Sequence, residues 1–338
     1  SLKDRIKNDD YFVRAYSKNR SYTGKNVSTK IWVGNYTTGD SFAEFAQKSS
    51  GIKRVGILRA DVDNLGTAFV SGFNNKDNDN RYVTISRTAT LSRQLSLFFK
   101  LHINKILENP EFTFDGVKKE KRNVTIVYSG GDDIFAVGAW NDIVEFAVDL
   151  RRAFDRYTEG TLSISAGIGL FEDSFPISVS ASMVEAMVDQ SKSNPGKNSI
   201  TLLEDGETHS VLDSRTSDEI AISDGTYKWS EFEKEVVDEK FKTISGYMNK
   251  VKDQKGNSFL YRILELIRKR EDKINFARFV YTLARMEPDP DSAQDIKESF
   301  RTFSSKMIAW IHNDKDCRHL KTAIELYVYL NREQEVQQ

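Results

Sequence analysis

Between residues 53 and 203, short apolar runs alternate with helical patterns. KRVGILRADVD is a continuous apolar run that ends in acid. It predicts a buried strand whose C-terminal end opens on a site. SGFNNKDNDNRY (71–82) is polar and Asn/Asp-rich and predicts a loop. Over 84–109 apolar residues recur at helical spacing, among them Leu91, Leu95, Phe98, Phe99, Ile103 and Ile106. VTIVYSGGDDIFAV (124–137) is two strand-forming runs around a tight polar tip, a hairpin that Gly130-Gly131 can turn. A helix follows, NDIVEFAVDLRRAFDRY, which Asn141-Asp142 can cap. LSISAGIGLF (162–171) reads as a strand rich in small residues, VSASMVEAMVDQSK (179–192) as a helix stopped before Asn194-Pro195-Gly196, and SITLL (199–203) as a last strand. The first six of these elements spell βαββαβ, the split arrangement of ferredoxin-like sheets and of polymerase palms.

The flanks have other patterns. In residues 1–50, YFVRAYSKNRSY and TKIWVGNY suggest short strands, and the segment is expected to be a linker or part of a preceding domain. The palm-type domain is assigned to 51–204, and the polar, Gly/Ser/Asp-rich stretch 205–227 to a linker. From 228 to 338 the period is helical, broken at EPDPDS (287–292), where two prolines cannot continue a helix. The expected fold class is α+β: a ferredoxin-like palm followed by an all-α bundle of four or five helices.

Composition narrows the function classes. The chain has 338 residues, enough for two domains with their own cores, and its net charge of −1 argues against nucleic-acid binding by bulk electrostatics alone. Cys317 is the single cysteine. It rules out an internal disulfide and a multi-cysteine zinc site, and it fits a reducing cytoplasm. No apolar run approaches the roughly 20 residues that span a bilayer, so no membrane partner is expected.

Two acidic clusters carry the chemistry. Asp61-Val62-Asp63 ends the first strand, and Asp132-Asp133 sits at the hairpin tip. Adjacent carboxylates repel, and partial desolvation adds to the cost unless a cation compensates. In a βαββ sheet the first strand lies beside the hairpin, so both clusters can converge into an oxygen-rich site suited to Mg²⁺ or Mn²⁺. Two such ions about 4 Å apart would activate a hydroxyl and stabilise a leaving pyrophosphate. Gly130 and Gly131, with Ser129 and Gly66, are the backbone positions expected to let phosphate approach. Lys192 and Lys197, in DQSKSNPGKNS, are either surface lysines or the wall that takes the remaining phosphate charge.

Other motifs fail on inspection. DVDNLG does not open an EF-hand, because its fifth and twelfth ligand positions are Leu65 and Gly72. NPGKNS lacks the first glycine of a P-loop and a preceding strand. The histidines His102, His209, His312 and His319 form no H-x-x-x-H or His-Asp pair, so a histidine-based metal hydrolase is not expected. The aromatic residues of the C-terminal helices are amphipathically spaced, which favours core over base stacking. Arg268-Lys269-Arg270 reads as a helix face, with RNA or protein contact as the alternative.

LRADVDNLGTAF, VYSGGDDIFAVG, SISAGIGLF and SKSNPGKNSITLL together resemble the second palm domain of the large subunit of type III CRISPR effector complexes, the Csm-type (III-A) subunit in particular. The helical tail resembles that subunit's C-terminal domain. The resemblance implies a cyclic oligoadenylate synthase, a nucleotidyltransferase that uses ATP and two Mg²⁺ or Mn²⁺ ions when its complex has bound target RNA. The partners it implies are the other subunits, guide RNA and target RNA. It places Asp61, Asp132 and Asp133 as metal ligands, with the Val62 carbonyl a further ligand and Asp63 nearby.

The same palm is similar, more distantly, to GGDEF diguanylate cyclases. Asp61 matches the first acid of their strand motif, Asp133 takes the place of the motif's Glu, and Lys192 and Lys197 match its phosphate-holding cations. Their guanine-reading Asn falls at Phe69 and the following Asp at Val70. An apolar residue leaves a guanine edge unmet, which favours adenine. The family's HD nuclease domain and first palm are not visible here, so DNA cleavage is not ascribed to these residues, and the acceptor half of the reaction is expected elsewhere. The rival readings are a non-catalytic scaffold or RNA-binding subunit, and a cyclic dinucleotide synthase.

Overall fold

A computed structural model of the chain describes residues 15–18, 28–74, 80–204, 206–213, 216–251, 258–268 and 273–332. The middle of the expected 71–82 loop, and Lys269 and Arg270 of the basic cluster, lie outside these residues. Two short strands, β1 (Ala15–Lys18) and β2 (Ser28–Ile31), pair parallel with each other, and helix α1 (Phe42–Lys48) follows, capped by the Ser41 side chain.

The central sheet is built from β3 (Val55–Val62), the hairpin β4 (Val124–Ser129) and β5 (Asp133–Ala139), β6 (Ile164–Phe171) and β7 (Ser199–Leu202). Across the sheet the order is β7, β6, β3, β5, β4. β3 lies antiparallel to both β5 and β6, so the four strands of the expected βαββαβ unit take the ferredoxin-like order. Between β3 and β4 come α2 (Leu65–Ser71), α3 (Ile85–Leu97), a π-helical stretch (Phe98–His102) and α4 (Ile103–Glu108). The single helix expected over 84–109 is thus interrupted by a widened turn. Helix α5 (Trp140–Thr158) follows β5 directly, and α6 (Ile177–Ser193) joins β6 to β7.

Asn141 and Asp142 do not cap α5, because it already begins at Trp140. Instead Asn141 Oδ1 accepts from the Ser50 N–H at 2.9 Å, and Asp142 Oδ2 accepts from the Asn123 N–H at 2.8 Å. The small residues of β6 have a packing reason. A Cβ on Gly167 would lie 2.7 Å from Met187 Cβ and 2.8 Å from the Val184 carbonyl, so glycine lets α6 settle closely on the sheet.

The stretch 205–227, expected as a linker, contains strands. β8 (Thr208–Leu212) and β9 (Glu219–Ser223) form a hairpin, and β10 (Thr226–Lys228) pairs antiparallel with β7 and becomes the sixth strand of the sheet. The helical region then starts at α7 (Trp229–Glu231) and a π-helical stretch (Phe232–Phe241). It continues through α8 (Lys242–Val251), α9 (Ser258–Arg268), α10 (Lys273–Ala284), α11 (Gln294–Ile311) and α12 (Asp314–Asn331). One continuous apolar core runs from Leu58, Ala136 and Phe146 in the palm to Phe232, Phe303 and Leu320 in the helices. The Trp229 indole N–H donates to the Ile164 carbonyl at 2.8 Å, the Tyr227 hydroxyl meets Thr322 Oγ1 at 2.6 Å, and Arg152 pairs with Glu233 at 2.7 Å. The helices therefore brace the face of the palm sheet that carries Leu58 and Ala60. None of them is long and apolar enough to cross a membrane, among the described residues.

Candidate active site

The sheet register brings the two acidic clusters together. Asp61 on β3 stands directly opposite Asp133 on β5, and the Val62 N–H donates to the Asp132 carbonyl at 3.1 Å. The hairpin tip is closed by the Gly130 N–H on the Asp133 carbonyl at 2.9 Å. A Cβ on Gly130 would lie 2.2 Å from the Tyr128 hydroxyl and 2.8 Å from Asp133 Oδ1, so a larger residue there would displace those two side chains. Gly66 and Gly131 have open space on that side, with only Ser96 Oγ at 4.0 Å from a Cβ on Gly131.

Asp132 and Asp133 have no ion pair among the described residues. Burial and the adjacent Asp132 charge hold the Asp133 carboxyl above its ordinary value, against the pull of Arg59. The Asp133 charge in turn raises the Tyr128 hydroxyl. Asp61 is paired with Lys192, the last-turn cation of α6, both about a quarter exposed. Burial, with Lys197 and Arg59 close by, pulls the Lys192 ammonium below its usual value. The cations thus form a wall of like charge that an anionic ligand would relieve. The side-chain oxygens of Asp61, Asp132 and Asp133 are not gathered within 4.8 Å of one another, so the protein alone forms no single closed cage. The oxygen-only donor set, and a carboxyl whose ionisation is opposed by its neighbour, fit hard divalent cations that would supply the missing charge.

The other expected residues are placed as follows. Val62 is buried in the strand end. Asp63 is buried too: its Oδ2 accepts from Ser163 Oγ at 2.7 Å and from the Asn198 N–H at 3.0 Å, while Oδ1 has no hydrogen-bond partner among the described residues. Asp63 thereby ties the turn after α6 to the end of β3. The Ser129 hydroxyl donates to the Phe99 carbonyl in the π stretch and is thus engaged away from a phosphate. Lys197 has φ +51° in that turn, and its carbonyl is held by the Lys228 ammonium and by Ser199 Oγ at 2.8 Å. Phe69 packs against the palm core, and Val70 is exposed.

Three contributors escaped the sequence reading: Arg59, Tyr128 and Lys228. Arg59 lies two residues before Asp61, on the same face of the strand, and its charge in an apolar run was the available signal. Tyr128 immediately precedes the SGGDD tip. Lys228 acts through β10, whose pairing no local pattern discloses.

Comparison with known proteins follows the same layout. Residues 54–201 match the family model for the Cas10/Cmr2 second palm domain, and 231–333 match that for the second helical domain of the CRISPR RNA silencing complex Cmr2 subunit. The CRISPR system single-strand-specific deoxyribonuclease Cas10/Csm1 (subtype III-A) of Mycobacterium tuberculosis is 41% identical over 326 residues, 95% of this chain and 37% of that protein. Its counterpart in Streptococcus thermophilus is 37% identical over 326 residues, 94% of this chain and 38% of that protein. The chain therefore spans less than two-fifths of the length of these relatives. Csm1 of T. onnurineus superposes with a TM-score of 0.69 at 24% identity, covering 95% of this chain and 44% of that one. A Csm1-Csm4 cassette in complex with cA4 gives 0.66 at 24% identity, covering 94% and 43%. At that identity the structures establish the fold.

Proposed function

This chain belongs to the Cas10/Csm1 family of type III-A CRISPR systems, matching its second palm and the helical domain after it, and from that premise we propose that it supplies the catalytic half of a cyclic oligoadenylate synthase. The observation that carries the reading is the pairing of Asp61 opposite Asp133, with Val62 bonded to Asp132. A similarly folded Csm1-Csm4 cassette has been solved with cA4, which supports the product class.

Asp61, Asp132 and Asp133 would hold two Mg²⁺ or Mn²⁺ ions, with the Val62 carbonyl as a further oxygen donor. Bound there, the ions supply charge neutralisation for the triphosphate and acidify the attacking hydroxyl. Lys192 exchanges Asp61 for a phosphate oxygen and, with Lys197, orients the triphosphate. Gly66 and Gly131 leave room for its approach. The 3′-hydroxyl of a second ATP attacks the α-phosphate, a new O–P bond forms as the hydroxyl proton passes to solvent, and the bond to pyrophosphate breaks; the same step between the two ends of the oligoadenylate closes the ring. No side-chain nucleophile takes part, so positioning and electrostatics account for the rate. Phe69 offers no polar group to a guanine edge, which favours ATP over GTP. The acceptor site, the other Csm subunits, and the guide and target RNA belong to the assembled complex.

A complex assembled with this chain and given target RNA, ATP and Mn²⁺ should release cyclic oligoadenylate, read by mass spectrometry. Asp132→Ala with Asp133→Ala should lower the rate by roughly 10³-fold or more at unchanged RNA binding. Undiminished product from the double variant, or product from GTP in preference to ATP, contradicts the proposal. A scaffold without chemistry leaves the unpaired acids at the tip without a purpose.

A further inference from the structure

The side chain of His319 on α12 is wholly withdrawn from solvent, yet neither ring nitrogen has a hydrogen-bond partner among the described residues. A neutral imidazole carries one donor and one acceptor, and a buried polar atom left unmet calls for an ion, a water or a strained role. A neutral imidazole nitrogen without a partner is also the form in which histidine ligates metals.

Two carboxylates face the ring. Glu235 Oε2 lies 3.2 Å from Nδ1, and Glu231 Oε1 lies 4.0 Å from Nε2. One ligand atom from each of the three residues can be chosen so that all lie within 4.8 Å of one another. Ligands about 2.1 Å from a tetrahedral metal are roughly 3.4 Å apart, so the three side chains would draw together around an ion held by one of the ring nitrogens. Both glutamates are partly exposed. The Lys315 ammonium sits between them, 2.9 Å from Glu231 Oε1 and 3.1 Å from Glu235 Oε1. The place is therefore already one for a cation. Glu231 is further fixed by the Lys228 N–H on its Oε2 at 3.2 Å, and the Tyr227 ring stands edge-on to the imidazole at 5.4 Å. A cavity of about 890 Å³ borders the cluster at Glu231 and Lys315.

We propose that Glu231, Glu235 and His319 form a binding site for a divalent transition-metal cation of the Zn²⁺ type, with Lys315 swinging out as the ion enters. One imidazole and two carboxylates with an open fourth position suit Zn²⁺ or Co²⁺ better than Mg²⁺ or Ca²⁺, which take oxygen alone. The ion would clamp the segment that leaves the palm, 229–241, to the last helix.

The test uses Co²⁺ as a visible-absorbing probe on the chain carrying Asp132→Asn and Asp133→Asn, so that the palm site contributes nothing. One equivalent of Co²⁺ should bind with an intense tetrahedral band and be displaced by Zn²⁺. Glu235→Gln, at a partly exposed position, should weaken binding at least tenfold, and His319→Gln should remove the band. Lys315→Met should tighten binding about tenfold by removing the competing ammonium. Absence of a stoichiometric band, or binding indifferent to both Glu235→Gln and Lys315→Met, overturns the proposal.

Discussion

Two groups of carboxylates flank strand β5, and the protein treats them oppositely. At its far end, on α5, Asp142, Glu145 and Asp149 are buried but matched by cations. Arg122, with no exposed side-chain surface, pairs with Glu145 at 2.7 Å and with Asp149. Lys119 reaches Asp142 at 2.7 Å and Glu145 at 2.6 Å. Backbone N–H groups of Phe112, Phe114 and Asn123 complete the set. At the near end Asp132 and Asp133 are half-buried and repel each other, and the closest lysine is engaged with Asp61. The first cluster pins the 109–123 segment to the helix, and two cations pair with all three of its carboxylates from within, although burial still holds Glu145 above its ordinary value. In the second, neither Asp132 nor Asp133 has an ion pair among the described residues, although Arg59 acts on Asp133 from nearby, as expected of a strand-end site whose cations arrive from solution.

Breaking the paired cluster should have the largest effect on stability. Arg122→Met leaves Asp149 and Glu145 buried with too little positive charge and should cost about 3–5 kcal/mol, measured by denaturant unfolding. A loss below about 1 kcal/mol would mean that the buried carboxylates do not depend on Arg122. Lys192→Met should leave stability nearly unchanged but lower kcat/KM for ATP in the assembled complex by about 10- to 100-fold, the range of one charge-assisted hydrogen bond. An unaltered kcat/KM would return Lys192 to the role of a surface cation.

The smallest effect is in pH. The raised Asp133 carboxyl binds its proton more tightly in the folded chain than in the unfolded one. The stability this gives is present at low pH and is lost as pH rises through the raised value. Mn²⁺ needs the ionised form, so its affinity should climb across the same window, above the usual carboxylate range. Asp132→Asn removes one cause of the shift and should move the climb to lower pH, followed by calorimetry at stepped pH. A climb at the same pH in both proteins would show that Asp132 does not act on Asp133.

Only the hairpin-tip side of this contrast was legible in the sequence, in which Asp142 read as a helix cap, and the reasons differ by residue. The βαββαβ order was readable because each strand carries its own apolar run, and Gly130-Gly131 marks the hairpin tip. From that order alone Asp61 was expected beside Asp132 and Asp133, and the register bears this out. What depended on distant pairing was hidden. Strand β10 has three residues and lies in a polar stretch, so it read as linker. Asp63 looked like a fourth site carboxylate, but it braces Ser163 and Asn198, residues more than 95 positions away. Ser129 looked free until the π stretch presented the Phe99 carbonyl. His319 showed no spacing signal because its glutamates lie on another segment. The shared core between palm and helices was likewise invisible, since amphipathic spacing says which face is apolar but not what it meets.

The central claim is that the acids at the hairpin tip await a metal and a nucleotide. Calorimetry of Mn²⁺ with ATP against this chain tests it most directly, comparing the wild type with Asp133→Asn, a near-isosteric change that also relieves the repulsion with Asp132. The account predicts Mn²⁺-dependent ATP binding by the wild type, at least tenfold weaker or lost in Asp133→Asn, with the variant no less stable in the absence of metal. Equal Mn²⁺-dependent ATP binding by both proteins would contradict it.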